Sequence, residues 1–334
     1  MKHFYLLLII ASLYQTGFSQ INLTIDANRI TPMKLSDISA QSYSVAMKMD
    51  NDTFSYFISD DYLFITKRLS LGKNSTLHQF DFSGKLIRVI FGSNRPNGRI
   101  FCDVKSNKLL FDNLDGNITF WDFNGVFLKE VKIPEKAPLG VIGFEQNNVW
   151  LILRSRHDDE KVNYRICRLN YETEQLEVIM ERVFPLGGVF SNACYSSFGG
   201  KSFVGFHDNV FYEVVGKNVR PAVKYNIRNF TEDPTYYTNA KIFAGRFFTM
   251  KYGNKLADRL LYWYDTKEKR SWQVREFMWK GGIEDDIFRT GTCDDYQIFG
   301  DYLVFTKRGD NLPKEMNKNA DPNLNVFFII KLKQ

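Results

Sequence analysis

The chain has 334 residues with 44 Lys or Arg and 38 Asp or Glu, a formal net charge of +6, and 44% of its residues are hydrophobic. That apolar content excludes wholesale disorder, and 22 Gly with 9 Pro are too few for a collagenous or low-complexity chain. A mild positive charge without basic clusters or a recognised motif argues against nucleic-acid binding.

The chain opens with Lys2 and His3, an apolar run from Phe4 to Leu13, and a polar stretch containing Gly17 and Ser19. This pattern predicts a secretory signal, residues 1–19, cut before Gln20, with residues 20–334 as a single domain. The run is half the ~20 apolar residues that span a bilayer, and no later segment reaches that length. The expectation is an exported chain, periplasmic, cell-surface or extracellular, with no transmembrane segment after processing. Cys102, Cys167, Cys194 and Cys293 permit disulfides in such a compartment without specifying a pairing. No C-x-x-C occurs and His is scarce, so these read as small semi-buried thiols rather than zinc ligands.

The body of the chain repeats. Asp61 to Arg68 reads DYLFITKR and Asp301 to Arg308 reads DYLVFTKR, while Asp81-Phe82-Ser83-Gly84 matches Asp122-Phe123-Asn124-Gly125 between alternating apolar runs. Ser-Gly and Asn-Gly between such runs signal tight β-hairpins, because Gly accepts the positive φ of the turn. With these anchors the chain divides into units of two hairpins each. First hairpins turn near Asp60, Asn107, Asn147, Gly200, Gly245 and Gly300. Second hairpins turn at Ser83-Gly84, Asn124-Gly125, Glu172-Thr173, Gly216-Lys217 and Thr266-Lys267. The sixth unit has one remaining strand, Asn325 to Leu332, so a strand from the N-terminal region, Ile21 to Ile25 or Ser42 to Met47, is expected to complete it. The fold class is therefore all-β: a six-bladed β-propeller of four-stranded antiparallel blades, closed by an N-terminal strand pairing with the C-terminal blade. A solenoid or stacked sandwiches are the alternatives. The 30 Phe and 17 Tyr suit the wedges between blades.

Three segments carry a resemblance to a known family. They are Lys34-Leu35-Ser36-Asp37-Ile38, the strand Phe80-Asp81-Phe82-Ser83-Gly84-Lys85-Leu86-Ile87-Arg88-Val89-Ile90, and the close from Asp321-Pro322-Asn323 to Lys331-Leu332-Lys333. Across nearly all of residues 20–334 the chain resembles secreted bacterial six-bladed β-propellers of mostly unassigned activity. The family usually follows its first-blade strand with Pro-Gly-Glu-aromatic, whereas this chain has Gly92, Pro96 and Gly98 followed by Arg99. Gly281-Gly282 and Asp285-Asp286 are similar to another family segment but lack its aromatic-Pro partner. The resemblance implies extracytoplasmic location and a role in glycan or nutrient handling.

In such a ring the longer connections share one face, and binding residues tend to lie on loops held by a rigid scaffold. Arg95, Arg99, Arg154, Arg156, His157 and Arg289 fall in these connections, with Trp279 as a stacking surface and Asp285 and Asp286 as an acidic pair. Arginine forks match carboxylates, sulfates and phosphates, so the expected ligand is a polar or anionic glycan or peptide; a solvated basic rim matched by nearby acids is the alternative. A second reading is a channel-centred hydrolase or lyase using acidic residues or a metal, and a third is a scaffold for another exported protein. No G-x-S-x-G occurs, and adjacent His157, Asp158 and Asp159 are poorly disposed for an acid–base pair. Asp285-Asp286 and Asp294-Asp295 lack the spacing of a calcium loop, so no cofactor is expected and a divalent cation has no motif behind it. Cys102, Cys194 and Cys293 precede their first-hairpin turns by similar intervals in units two, four and six, which predicts quasi-threefold placement around the channel.

Overall fold

The computed structural model describes residues 20–334 except 49–53, 60, 68–75, 92–98, 104–105, 113–115, 134–138, 146, 186–193, 199–200, 206–208, 216, 230–238, 256–257, 278–279, 294–295 and 320. The signal predicted at residues 1–19 lies outside the described residues. Two strands come first, β1 (Ile21–Asp26) and β2 (Ser39–Lys48), separated by a one-turn helix, α1 (Leu35–Ile38). Blade 1 is β3 (Phe54–Ser59), β4 (Tyr62–Lys67), β5 (Thr76–Phe80) and β6 (Leu86–Phe91). Blade 2 is β7 (Arg99–Asp103), β8 (Lys108–Asp112), β9 (Asn117–Asp122) and β10 (Phe127–Lys132). Blade 3 is β11 (Leu139–Glu145), β12 (Asn148–Arg156), β13 (Lys161–Asn170) and β14 (Gln175–Pro185). Blade 4 is β15 (Cys194–Phe198), β16 (Lys201–Gly205), β17 (Val210–Val215) and β18 (Asn218–Arg228). Blade 5 is β19 (Asn239–Phe243), β20 (Phe247–Lys255), β21 (Asp258–Asp265), β22 (Arg270–Phe277) and the short β23 (Lys280–Gly281). A small hairpin, β24 (Ile283–Asp285) and β25 (Gly291–Cys293), leads to blade 6: β26 (Gln297–Phe299), β27 (Tyr302–Arg308) and β28 (Leu324–Leu332), with β2 on the outside.

The strands therefore place every predicted hairpin; the turn residues Asp60, Gly200 and Gly216 themselves lie outside the described residues. The repeated Asp-Phe-Ser/Asn-Gly segment has a physical reason. Asp81 Oδ1 accepts from the backbone N–H of Ser83 at 2.9 Å and Lys85 at 3.0 Å, and Asp122 Oδ1 does the same for Asn124 at 2.9 Å and Val126 at 2.8 Å. Gly84 and Gly125 then take φ of 84° and 81°, the left-handed region where a Cβ is unfavourable.

Closure of the ring is written in the core. Six buried clusters occupy six wedges, one between each pair of neighbouring blades. The wedge between blades 6 and 1 joins Ile58, Leu63 and Ile65 to Val304, Phe327 and Ile329, which an open array of sheets would leave uncovered. The first strands line the centre: β15 lies against β11 and β19, and β26 against β3.

Of the two closing strands that the sequence offers, β2 completes blade 6, antiparallel to β28 from Ser39↔Leu332 to Lys48↔Leu324. The Ile21 to Ile25 segment instead forms β1, which adds in parallel to β18 as a fifth strand of blade 4. Blades 4 and 5 thus depart from the expected four strands. The chain between β1 and β2 is a strap over blades 4, 5 and 6, with Met33, Leu35 and Ile38 buried in the blade 5–6 wedge. Gln273 of β22 anchors it. Its Nε2 donates to the carbonyls of Asp26 and Arg29 at 2.9 and 2.5 Å, and its Oε1 accepts from the Tyr252 hydroxyl at 2.9 Å. Gln273→Ala is expected to destabilise the fold by about 2 kcal/mol, since it leaves buried polar groups unpaired. Limited proteolysis should then cut faster between Ile21 and Ile38, while cleavage elsewhere is unchanged.

Among the described residues, no helix is long and apolar enough to cross a membrane.

Candidate ligand site

The sequence-predicted site residues separate into two groups in space. Arg95 and Trp279 lie outside the described residues, and Arg99 opens β7, where only its backbone is described. Arg154, Arg156 and His157 sit at the end of β12 and its turn into β13, on the face that carries the longer connections. Asp285, Asp286 and Arg289 belong to the β24–β25 hairpin between blades 5 and 6, so blades 4 and 5 stand between the two groups.

The acidic pair is committed to structure. Asp285 is 3% exposed, and its carboxylate accepts from the backbone N–H of Phe288 at 2.8 Å and Thr290 at 3.0 Å, and from the Thr290 hydroxyl. Asp286 captures the strap, accepting from Ser36 N–H at 3.0 Å and Ser36 Oγ at 2.6 Å. Burial pushes the Asp286 carboxyl up, but these bonds outweigh it and hold the group below the usual carboxylate range. The predicted threefold of cysteines also changes. Cys102 and Cys194 lie on the inner strands β7 and β15, whereas Cys293 is on β25, fully buried in the blade 5–6 wedge rather than beside the channel. The displacement follows from the hairpin inserted before β26, a segment that has no counterpart in the other units.

Around Arg154 to His157 the strand alternation sorts the side chains. Arg156 is exposed, and its guanidinium donates to the Asp159 carboxylate at 2.9 Å and the Asp158 carbonyl at 3.2 Å, closing its own turn. The backbone N–H of Glu160 is the main cause holding the Asp158 carboxyl below its usual range, with Lys161 adding to it. On β13, Val162, Tyr164 and Ile166 point into the blade 3–4 wedge, while Asn163, Arg165, Cys167 and Leu169 point toward blade 2.

This second row, with Ser155 of β12 and Glu181 of β14 beside it, forms a polar cluster at the loop-bearing end of an otherwise apolar wedge. Asn163 is 8% exposed and its Nδ2 donates to Glu181 Oε1, the amide orientation that avoids setting two acceptors against each other. Its Oδ1 is buried and has no partner among the described residues. Arg165 Nη2 donates to Ser155 Oγ at 3.4 Å. Beneath them Cys167 is fully buried, and burial pushes its thiol up to about 11, so it is protonated and inert at neutral pH. A buried acceptor without a donor is costly, and a ligand presenting N–H or O–H to Asn163 removes that cost while its own acceptor meets the Arg165 fork.

The sequence named Arg154, Arg156 and His157 and missed Asn163, Arg165, Ser155 and Glu181. A signal was present: in KVNYRICRLN, Asn163 and Arg165 share a face with Cys167 and Leu169. Polar residues in register with buried ones mark either a paired cluster or a site. Among the described residues, no three His, Cys, Asp or Glu side chains gather where they could hold a metal ion.

No protein-family profile matches the chain, and no curated protein matches it. Solved structures similar to it include an uncharacterized protein from Listeria monocytogenes, 14% identical over 77% of this chain and 93% of that one, with a TM-score of 0.41. The β-propeller domain of the Trilobed protease from Pyrococcus furiosus, described as having an open velcro topology, is 14% identical over 77% of this chain and 78% of that one, TM-score 0.41. The Swd1 β-propeller domain of Myceliophteria thermophila is 11% identical over 86% of this chain and 99% of that one, TM-score 0.40. At such scores the blade count rests on the strand ladders and the six wedge cores of this chain.

Proposed function

We propose that this propeller is an exported binding module for a polar ligand, a glycan or peptide carrying hydroxyl, amide or carboxylate groups, held at the loop-bearing end of blade 3. The observation that carries the reading is the buried Asn163 Oδ1, without a partner among the described residues, on the face of β13 that also carries Arg165. Binding fits the site better than turnover, because its amide and guanidinium orient a ligand without moving a proton near neutral pH, and its carboxylate, Glu181, already accepts from Asn163.

A thermal-shift screen of the purified protein tests this with galacturonate and glucuronate oligomers, neutral glucans and short peptides. A ligand of this site raises the midpoint with its concentration, and Asn163→Ala abolishes the rise. If the ligand is anionic, the rise also shrinks as salt screens Arg165. A shift that Asn163→Ala leaves intact, or the absence of any shift across the panel, rejects the assignment.

A further inference from the structure

We propose that the loop-bearing end of the blade 5–6 wedge is a separate subsite, in which Glu276 and Lys251 grip two neighbouring hydroxyls of a sugar or other polyol. In β22 the residues Trp272, Val274 and Glu276 share one face, so the alternation that buries Trp272 and Val274 also carries a carboxylate into the wedge. In β20 the same holds for Phe247, Thr249 and Lys251, with Phe247 and Thr249 buried.

The Glu276 side chain is 4% exposed, and its Oε1 is buried without a hydrogen-bond partner among the described residues. Lys251 Nζ stands 3.7 Å from Oε2, close enough to neutralise the carboxylate and too far to hydrogen-bond it. The ammonium lies 5.3 Å from the centroid of the Tyr296 ring, and the Tyr296 hydroxyl accepts from Trp263 Nε1 at 3.3 Å, which fixes the floor of the cluster. Burial pushes the Tyr296 phenol well above its ordinary value, so it stays protonated. Lys251 is a quarter exposed, which opens the cluster to solvent.

An acceptor without a partner among the described residues beside an ammonium that none of them hydrogen-bonds, with no net charge, selects a neutral group that can both donate and accept. One hydroxyl donates to Glu276 Oε1 and its neighbour accepts from Lys251 Nζ. Because Lys251 and Glu276 offset each other, neither a cation nor an anion gains net attraction there. The site shares no residue with the blade 3 cluster, so either assignment can fail alone.

Calorimetric titration of the intact protein with the methyl glycosides of mannose, galactose and glucose tests the subsite, with cyclohexanol as a single-hydroxyl control. At least one glycoside should bind more tightly than cyclohexanol. Glu276→Gln and Lys251→Met should each weaken that glycoside about tenfold, whereas Ser44→Asp, on the exposed face of β2, should leave it unchanged. Two variants are used so that one surviving as a folded protein suffices. Overturning results are glycosides that bind no better than cyclohexanol, affinity retained in the folded variants, or affinity lost only in Asn163→Ala, which would transfer the sugar to blade 3.

Discussion

Val45→Asp is expected to destabilise the protein by on the order of 4 kcal/mol, one of the largest single-site effects in the chain. Val45 is 1% exposed, and it lies on β2, the strand that completes blade 6 and contributes to the wedge against blade 1. A carboxylate there has no partner and loses its hydration. It also removes apolar contact with Ile58, Leu63 and Phe327, the residues that join the last blade to the first. Ser44→Asp, on the exposed face of the same strand, is the matched control and should change stability by no more than about 0.5 kcal/mol. Urea unfolding reads both. A shift of midpoint at constant slope is the expected form, because the ring should unfold as one unit.

The second large effect is at Arg246 and Asp265, a buried ion pair where the β19–β20 and β21–β22 turns of blade 5 meet. Asp265 is 1% exposed, and it accepts from Arg246 Nε at 2.8 Å and from the backbone N–H of Lys267 and Glu268 at 2.9 and 3.1 Å. Arg246 also donates to the main-chain oxygen of Gln334 at 3.2 Å, which ties the segment after β28 to blade 5. Asp265→Ala leaves a buried guanidinium and two N–H groups without their acceptor, and should cost about 3–5 kcal/mol. Burial alone pushes the Asp265 carboxyl up, but the Arg246 and backbone hydrogen bonds outweigh it and hold the group below the usual range. A depressed folded-state value means that the stabilisation is full above the unfolded value of about 4 and is lost as pH falls through the folded value. Wild type should therefore lose stability on acidification below about pH 4 more steeply than Asp265→Ala.

The hairpins were legible because turns such as Ser83-Gly84 and Asn124-Gly125 combine a side chain that accepts backbone N–H with a residue that tolerates positive φ, and both are local properties. Closure was legible only as a need. Ile21 to Ile25 and Ser42 to Met47 are both short alternating runs, and nothing local distinguishes a strand that adds to blade 4 from one that completes blade 6. The decision is made by the strap, whose Met33, Leu35 and Ile38 fix how far the chain travels between the two. The roles of Asp285 and Asp286 were hidden for a similar reason: Ser36, which Asp286 holds, is 250 positions away in the chain. Asn163 and Glu276 were half legible. Each stands in register with buried neighbours, but whether its polar atoms find partners depends on strands and blades that only the fold brings together.

Both proposed sites presuppose a closed ring, because each lies between two blades whose spacing the closure maintains. Hydrogen exchange at the backbone amides of β2 tests that closure most directly. If β2 is the outer strand of blade 6, its ladder amides are protected to the same degree as those of β28, and Val45→Asp lowers both together. Exchange across Ser39–Lys48 at the rate of a free tail, with β28 still protected, would show that the last blade stands without it and that the ring is open.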